Sequence, residues 1–354
     1  MGDYLDRAAV KQPRLARFDR FPDALLDVPA ADLWQHLPGP ALFEIAGRAG
    51  APLFVTVLLH GNEETGWQAL QSVLRQHRGR LLPRPLLLFV GNIEAARARV
   101  RTLPWQNDYN RVWPGTPMPA APEAALMREV TDIAASRFPF ASIDIHNNTG
   151  TNPHYACVNR LDEPVLHLAR LFGRTVVYFT KPTGVQSAAL SAVCPAVTVE
   201  CGQVEGANGA AHAAEFVSAA LALSHFPVHP VPDHDIDLLQ TFAIVKVPPE
   251  ATFSYDGSEA DFRFRNDLDH LNFSELDPGA EFGATGRAGA QCLEVVPGGE
   301  FDAVEHYFEY TDRRIRLARK AIPAMLTCDA QAVRLDCLGY LMHRIGRDGR
   351  RVVE

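Results

Sequence analysis

The stretch Leu53–His77, LFVTVLLHGNEETGWQALQSVLRQH, decides the fold. Its first seven residues are apolar or β-branched throughout, as in a strand buried on both faces. The run stops at His60-Gly61-Asn62-Glu63. From Glu64 onward apolar residues return at three- and four-residue spacing, the mark of an amphipathic helix. A buried strand, a polar turn and a covering helix make the repeating unit of an α/β sheet. The turn poses the functional question: His60 and Glu63 are either half of a metal site or the polar end of a strand.

Working outward, the same alternation holds from about residue 51 to 226. PLLLFVG (85–91), ASIDI (141–145), TVVYFT (175–180) and AVTVE (196–200) read as further buried strands bounded by Pro, Gly and Asn. PEAALMREVTDIAASRF (122–138) and GAAHAAEFVSAALALSHF (209–226) read as amphipathic helices. After HFPVHPVPDHD (225–235), whose prolines mark a linker, short alternating segments such as FAIVKV, TFSYDG and DFRFRN predict a small β-rich unit. The tail YLMHRIGRDGRRVVE reads as a hairpin around Asp348-Gly349.

A chain of 354 residues with 47% hydrophobic content supports one large core and a smaller unit. Its net charge of −8 argues against nucleic acid or an anionic membrane as partner. The six cysteines include no CxxC pair, which fits reduced thiols. The N-terminal stretch carries no apolar core of signal-peptide length, and no apolar run approaches the ~20 residues that span a bilayer. The expected location is cytoplasmic.

HxxE alone proves little. About 0.7 matches are expected by chance at this composition, and a second copy, His212 to Glu215, falls inside a predicted helix. Context separates the two. His60 stands at the carboxyl end of a predicted strand, where open α/β sheets place their ligand sites. DIHNNTG delivers His146 to the end of another. Two histidines and a carboxylate are the usual donors of a catalytic zinc site that keeps a position open for water. Glu200 ends a third apolar strand, a costly place for an unpaired carboxylate, and could serve as a base. The structural alternative is a buried Glu paired with an Arg.

The motifs HGNExTG (60–66), Asp-Tyr-Asn-Arg-Val-Trp-Pro-Gly (108–115), Asp-Ile-His-Asn (144–147) and Val-Glu-Cys-Gly (199–202) occur in one order. Together they resemble the succinylglutamate desuccinylase/aspartoacylase family, a branch of the zinc carboxypeptidase-like hydrolases, over about residues 50–230. The resemblance implies an α/β fold: a three-layer mixed sheet with helices on both faces, plus a small C-terminal β-rich domain. Residues 1–230 would form the catalytic domain and 235–354 the C-terminal domain and tail. It further implies one Zn2+ per chain on His60, Glu63 and His146, with Glu200 as general base and later acid. Asn110 and Arg111 would contact substrate. A further arginine would polarise the scissile carbonyl; counting forward from Asn92 selects Arg101, with Arg97 and Arg99 as competitors. Tyr307 would enter the pocket from the C-terminal domain, although an aromatic in that domain's core explains it equally well. At the offsets where the aspartoacylase branch carries a Tyr and an Arg, this chain has Gln186 and Leu190. N-acetylaspartate is therefore not the expected substrate.

The chemistry of these residue types agrees. A guanidinium beside a cation stabilises an oxyanion, and Arg111 can grip a carboxylate in a bidentate fork. The leading expectation is a zinc-dependent deacylase cleaving the amide of an N-acyl amino acid or related small carboxylate. Ester cleavage by the same machinery, a carboxypeptidase acting on short peptides and a non-catalytic zinc-binding protein stand as alternatives. The expected partner is a small-molecule carboxylate, with homo-oligomerisation left open.

Overall fold

The computed structural model describes residues 12–286, 292–298 and 307–352. Its first nine strands are β1 (Ala16–Phe18), β2 (Ala41–Ile45), β3 (Leu53–Val57), β4 (Leu86–Val90), β5 (Ala141–His146), β6 (Tyr155–Val158), β7 (Thr175–Tyr178), β8 (Ala196–Glu200) and β9 (Asp237–Lys246). Interleaved with them are α1 (Thr65–Gln76), α2 (Ile93–Ala98), α3 (Pro122–Ser136), α4 (Glu163–Phe172), α5 (Gln186–Leu190) and α6 (Gly209–Ala222). The remainder comprises β10 (Phe253–Ser254), β11 (Phe262–Phe264), β12 (Glu281–Thr285), β13 (Glu294–Pro297), β14 (Phe308–Thr311), β15 (Arg314–Leu317), β16 (Ile322–Ala324), α7 (Ala330–Leu335) and β17 (Gly339–Arg344). No helix among the described residues is long and apolar enough to cross a membrane.

The main sheet runs β1-β2-β4-β3-β5-β8-β6-β7-β9-β17-β16, with β13 also paired to β9. It is mixed: β3, β4, β5 and β8 run parallel, whereas β2 opposes β4 and β6 opposes β8. Alternation along each strand fills both faces. Val55, Val57, Ile143 and Val199 join α1, α4 and α6 in one core, while Phe54 and Phe89 meet α3 and α5 in another. That two-sided burial is why the strands read as unbroken apolar runs.

The segment after residue 235 does more than expected. Its β9, β13, β16 and β17 extend the main sheet, and β10-β11-β12-β15-β14 form a second, five-stranded sheet over its own apolar core. Helix α6 stops at Ala222, short of the run of apolar residues that reaches Phe226. Arg84 explains the stop: its guanidinium donates to the carbonyls of Leu221, Leu223 and Ala51 and lies over the Phe140 ring. The tail turns back as predicted, with Gly349 at φ 74° and Ile345 bridged to Arg351, while residues 353–354 lie outside the described set.

Candidate metal centre

β3, β5 and β8 are consecutive in the sheet and parallel, so their carboxyl ends share one edge. His60 follows β3 by three residues, His146 closes β5, and Glu200 closes β8 directly opposite His146 in the register. The glycines of HGNExTG have a steric reason. A Cβ on Gly61 would stand 2.1 Å from the carbonyl carbon of Ala95 in α2, and one on Gly66 3.0 Å from side-chain carbons of Val57 and Ile145. The first lets α2 brace the turn; the second lets α1 lie close on the strands and present Glu63 from its start.

His60 Nδ1 lies 2.7 Å from Glu63 Oε1, and His146 Nδ1 lies 2.7 Å from Glu63 Oε2. One ligand-type atom from each of the three residues falls within 4.8 Å of the others, and all three are buried. The far sides of the rings are also engaged: His60 Nε2 meets Asp108 Oδ1 at 3.0 Å, and His146 Nε2 meets Asp144 Oδ2 at 2.8 Å. Asp144 is itself fixed by the Thr56 hydroxyl, and Asp108 by the backbone N–H of Asn110. With each Nε2–H donated to a carboxylate, each Nδ1 lone pair faces Glu63. Nitrogen and carboxylate lone pairs so opposed call for a cation, either a second proton on each ring or one divalent ion shared by all three. Carboxylate-backed histidines are the usual supports of a zinc site, and the residues present fit one.

The electrostatics lean the same way. Burial alone would raise the Glu63 carboxyl, but His60 and His146 hold it far below the usual carboxylate range. Burial alone would lower His146, yet Asp144 and Glu63 raise it well above the ordinary histidine value. Glu200 is the contrast. Burial pushes its carboxyl up to about 7, and its Oε2 is buried with no hydrogen-bond partner among the described residues. No arginine among the described residues forms an ion pair with it, which was the structural alternative raised by its position.

The cavity wall contains His60, Glu63, His146, Glu200, Asn110, Arg101 and Arg111. Arg101 directs Nε and Nη2 to Asp108 Oδ2 at 3.1 and 2.8 Å, with Nη1 3.8 Å from Glu63. Its competitors point elsewhere: Arg97 lies over the Trp34 ring, and Arg99 caps α2 in the left-handed region at φ 55°. Arg111 donates Nη2 to Asp336 at 2.8 Å and Nη1 to its neighbour's carbonyl at 2.9 Å. Asn110 sets Nδ2 3.2 Å from the His146 ring and accepts from the Gln186 N–H at 3.1 Å.

Tyr307 is a correction. It does not line the cavity; its ring is partly buried and packs against Phe242 at 4.9 Å between centroids, on the core of the second sheet. Tyr155 and Tyr340 line the cavity instead, with Met325, Met342, Val177 and Phe179. Asp108 and Asp144 stand inside quoted motifs, so their supporting role had a signal. Asp336, Tyr155 and Tyr340 had none, because β6, β17 and the segment between α7 and β17 that carry them come to one cavity only in the folded chain.

A family model described as the succinylglutamate desuccinylase/aspartoacylase catalytic domain matches residues 49–226. Solved structures agree in fold. A succinylglutamate desuccinylase from Chromobacterium violaceum is 19% identical, covering 73% of this chain and 87% of that one at a TM-score of 0.53. A succinylglutamate desuccinylase/aspartoacylase from Rhodobacter sphaeroides is 13% identical, covering 86% and 88% at 0.57. Murine aminoacylase 3 is 16% identical, covering 84% and 97% at 0.53. No curated protein sequence matches this chain.

Proposed function

Because this chain belongs to the succinylglutamate desuccinylase/aspartoacylase family, we propose that it hydrolyses the amide bond of an N-acyl amino acid or related small carboxylate. The observation that carries this reading is Glu200: a buried carboxylate whose Oε2 has no hydrogen-bond partner among the described residues, next to a converged His-Glu-His donor set. His60, Glu63 and His146 would hold the cofactor, one Zn2+. Zinc in such a site supplies Lewis acidity and brings the pKa of water from roughly 16 to about 7. Glu200 takes the proton of the attacking water and returns it to the leaving amine. The dry surroundings that raise its carboxyl also make it a better base than an exposed glutamate. Arg101, already anchored on Asp108, keeps Nη1 facing the metal ligands, where charge develops on the scissile carbonyl oxygen. Asn110 and Arg111 orient the amino acid part.

Small substrates are favoured over peptides by the position of the chain after residue 235. Thr241, Met325, Asp336 and Tyr340 form part of the wall and leave the cavity bounded on that side. The test is Glu200→Gln with metal analysis and an acyl amino acid panel. The variant should retain zinc and lose about 10²–10⁴-fold in turnover. Normal turnover by a zinc-loaded variant removes Glu200 from the reaction.

A further inference from the structure

Asp336 reaches the cavity from the last third of the chain. It follows α7 and precedes β17. Its N–H donates to Ala332 O at 3.0 Å, and the Leu338 N–H donates to Val245 O at 2.8 Å. The carboxylate is therefore mounted on a fixed frame tied to the main sheet. Its Oδ2 accepts from Arg111 Nη2 at 2.8 Å and lies 3.7 Å from Arg101 Nη2. Arg101 is held in turn by Asp108 at 2.8 Å. Two guanidiniums and two carboxylates thus cancel along one wall. Among the described residues the lining has one more permanent cation, the exposed Lys181 ammonium.

This balance bears on what the site can take. A substrate carboxylate placed on Arg111 comes up against Asp336, and like charges at contact distance in a partly desolvated site repel strongly. A second carboxylate on the substrate finds, among the described lining residues, no surplus guanidinium and only the exposed Lys181 ammonium, and it adds to the repulsion at Asp336. A substrate ammonium reverses the sign: Asp336 accepts from it with a free lone pair while keeping its bond to Arg111. An arginine and an aspartate side by side match a carboxylate and an ammonium side by side.

We propose that Asp336 is a specificity-determining residue that makes this site select a diamino acid, with its second nitrogen a free ammonium, over a dicarboxylic amino acid. The inference rests on the acyl amino acid reading above and narrows its amino acid part.

Calorimetric titration of zinc-loaded protein with ornithine, norvaline and glutamate tests it without turnover. The three share the α-carboxylate, the α-nitrogen that carries the acyl group in a substrate and much of the carbon chain, so that differences among them report the far group alone. Ornithine should bind about tenfold tighter than norvaline, and glutamate weaker than either. In Asp336→Asn, which keeps an oxygen for Arg111, ornithine should lose that lead and glutamate should gain about tenfold. Glutamate binding as tightly as ornithine to the unaltered protein, no ornithine binding, or a folded variant that shifts all three alike overturns the proposal. If the variant does not fold, the order in the unaltered protein decides. Turnover is read separately. The expected binding order without hydrolysis of Nα-acetylornithine supports the role of Asp336 and counts against the hydrolase reading. Hydrolysis of N-acetylglutamate in preference to Nα-acetylornithine overturns the role of Asp336 and leaves the hydrolase reading standing.

Discussion

Glu200 sets function against stability. Its carboxyl, raised by burial to about 7, binds a proton more tightly in the folded chain than in the unfolded one. The sign follows from linkage: the native state is favoured while Glu200 is protonated, and that advantage fades as pH climbs from about 4 to about 7. In metal-free protein, Glu200→Gln should therefore stabilise by about 1–3 kcal/mol at pH 8 and by little at pH 5, read from denaturant unfolding at both pH values. Equal effects at the two pH values would show that the carboxylate is not held in a dry site. Tyr307 makes the opposite case. Its ring contributes to the second core and stands away from the cavity wall, so Tyr307→Phe should leave kcat/KM unchanged while Tyr307→Ala lowers Tm. A selective loss of kcat in the Phe variant would return the hydroxyl to the reaction.

At the scale of elements, the turn after β3 carries the site. Gly61 lies against the α2 backbone and its N–H donates to Arg101 O at 3.1 Å, so one turn positions both His60 and the Arg101 segment. Gly61→Ala must push α2 away from the strand end. We expect a loss of about 1–3 kcal/mol, the range for overpacking a tight site, with weaker zinc binding measured by competition against a chelator. Unchanged zinc affinity in a destabilised variant would mean that α2 braces the fold but not the ligands. This turn was readable because a strand, two glycines and the start of a helix follow within the fourteen residues from Leu53 to Gly66. The end of α6 was not, because the residue that stops it, Arg84, is more than a hundred positions away in sequence.

At the scale of the whole molecule, the His-Glu-His group comes from two strand ends and a helix start whose separation in sequence closes only in the folded sheet. Metal binding is then linked to folding. Zinc at a thousandfold excess over its dissociation constant should stabilise the protein by about 4 kcal/mol, and a chelator should lower Tm correspondingly. His146→Ala should fold with a Tm insensitive to zinc. A zinc-dependent shift of undiminished size in that variant would place the ion elsewhere. The main sheet also continues beyond residue 235 by way of β9 and β17, so the wall carrying Asp336 and Tyr340 is braced by the same sheet as the His-Glu-His group.

The sequence by itself determined the central strands, the flanking helices, the family motifs and the candidate residues His60, Glu63 and His146, because each of these has a local signal. Two-sided burial writes unbroken apolar runs, and strand ends that meet a ligand break them with His or Glu. Only the tertiary structure decided which of three arginines faces the site, that Tyr307 packs away from it, and that Asp336 closes on Arg111. Those outcomes depend on β9 and β17 pairing and on charges brought together across 225 residues, a separation over which hydrophobic periodicity and local propensity carry no signal.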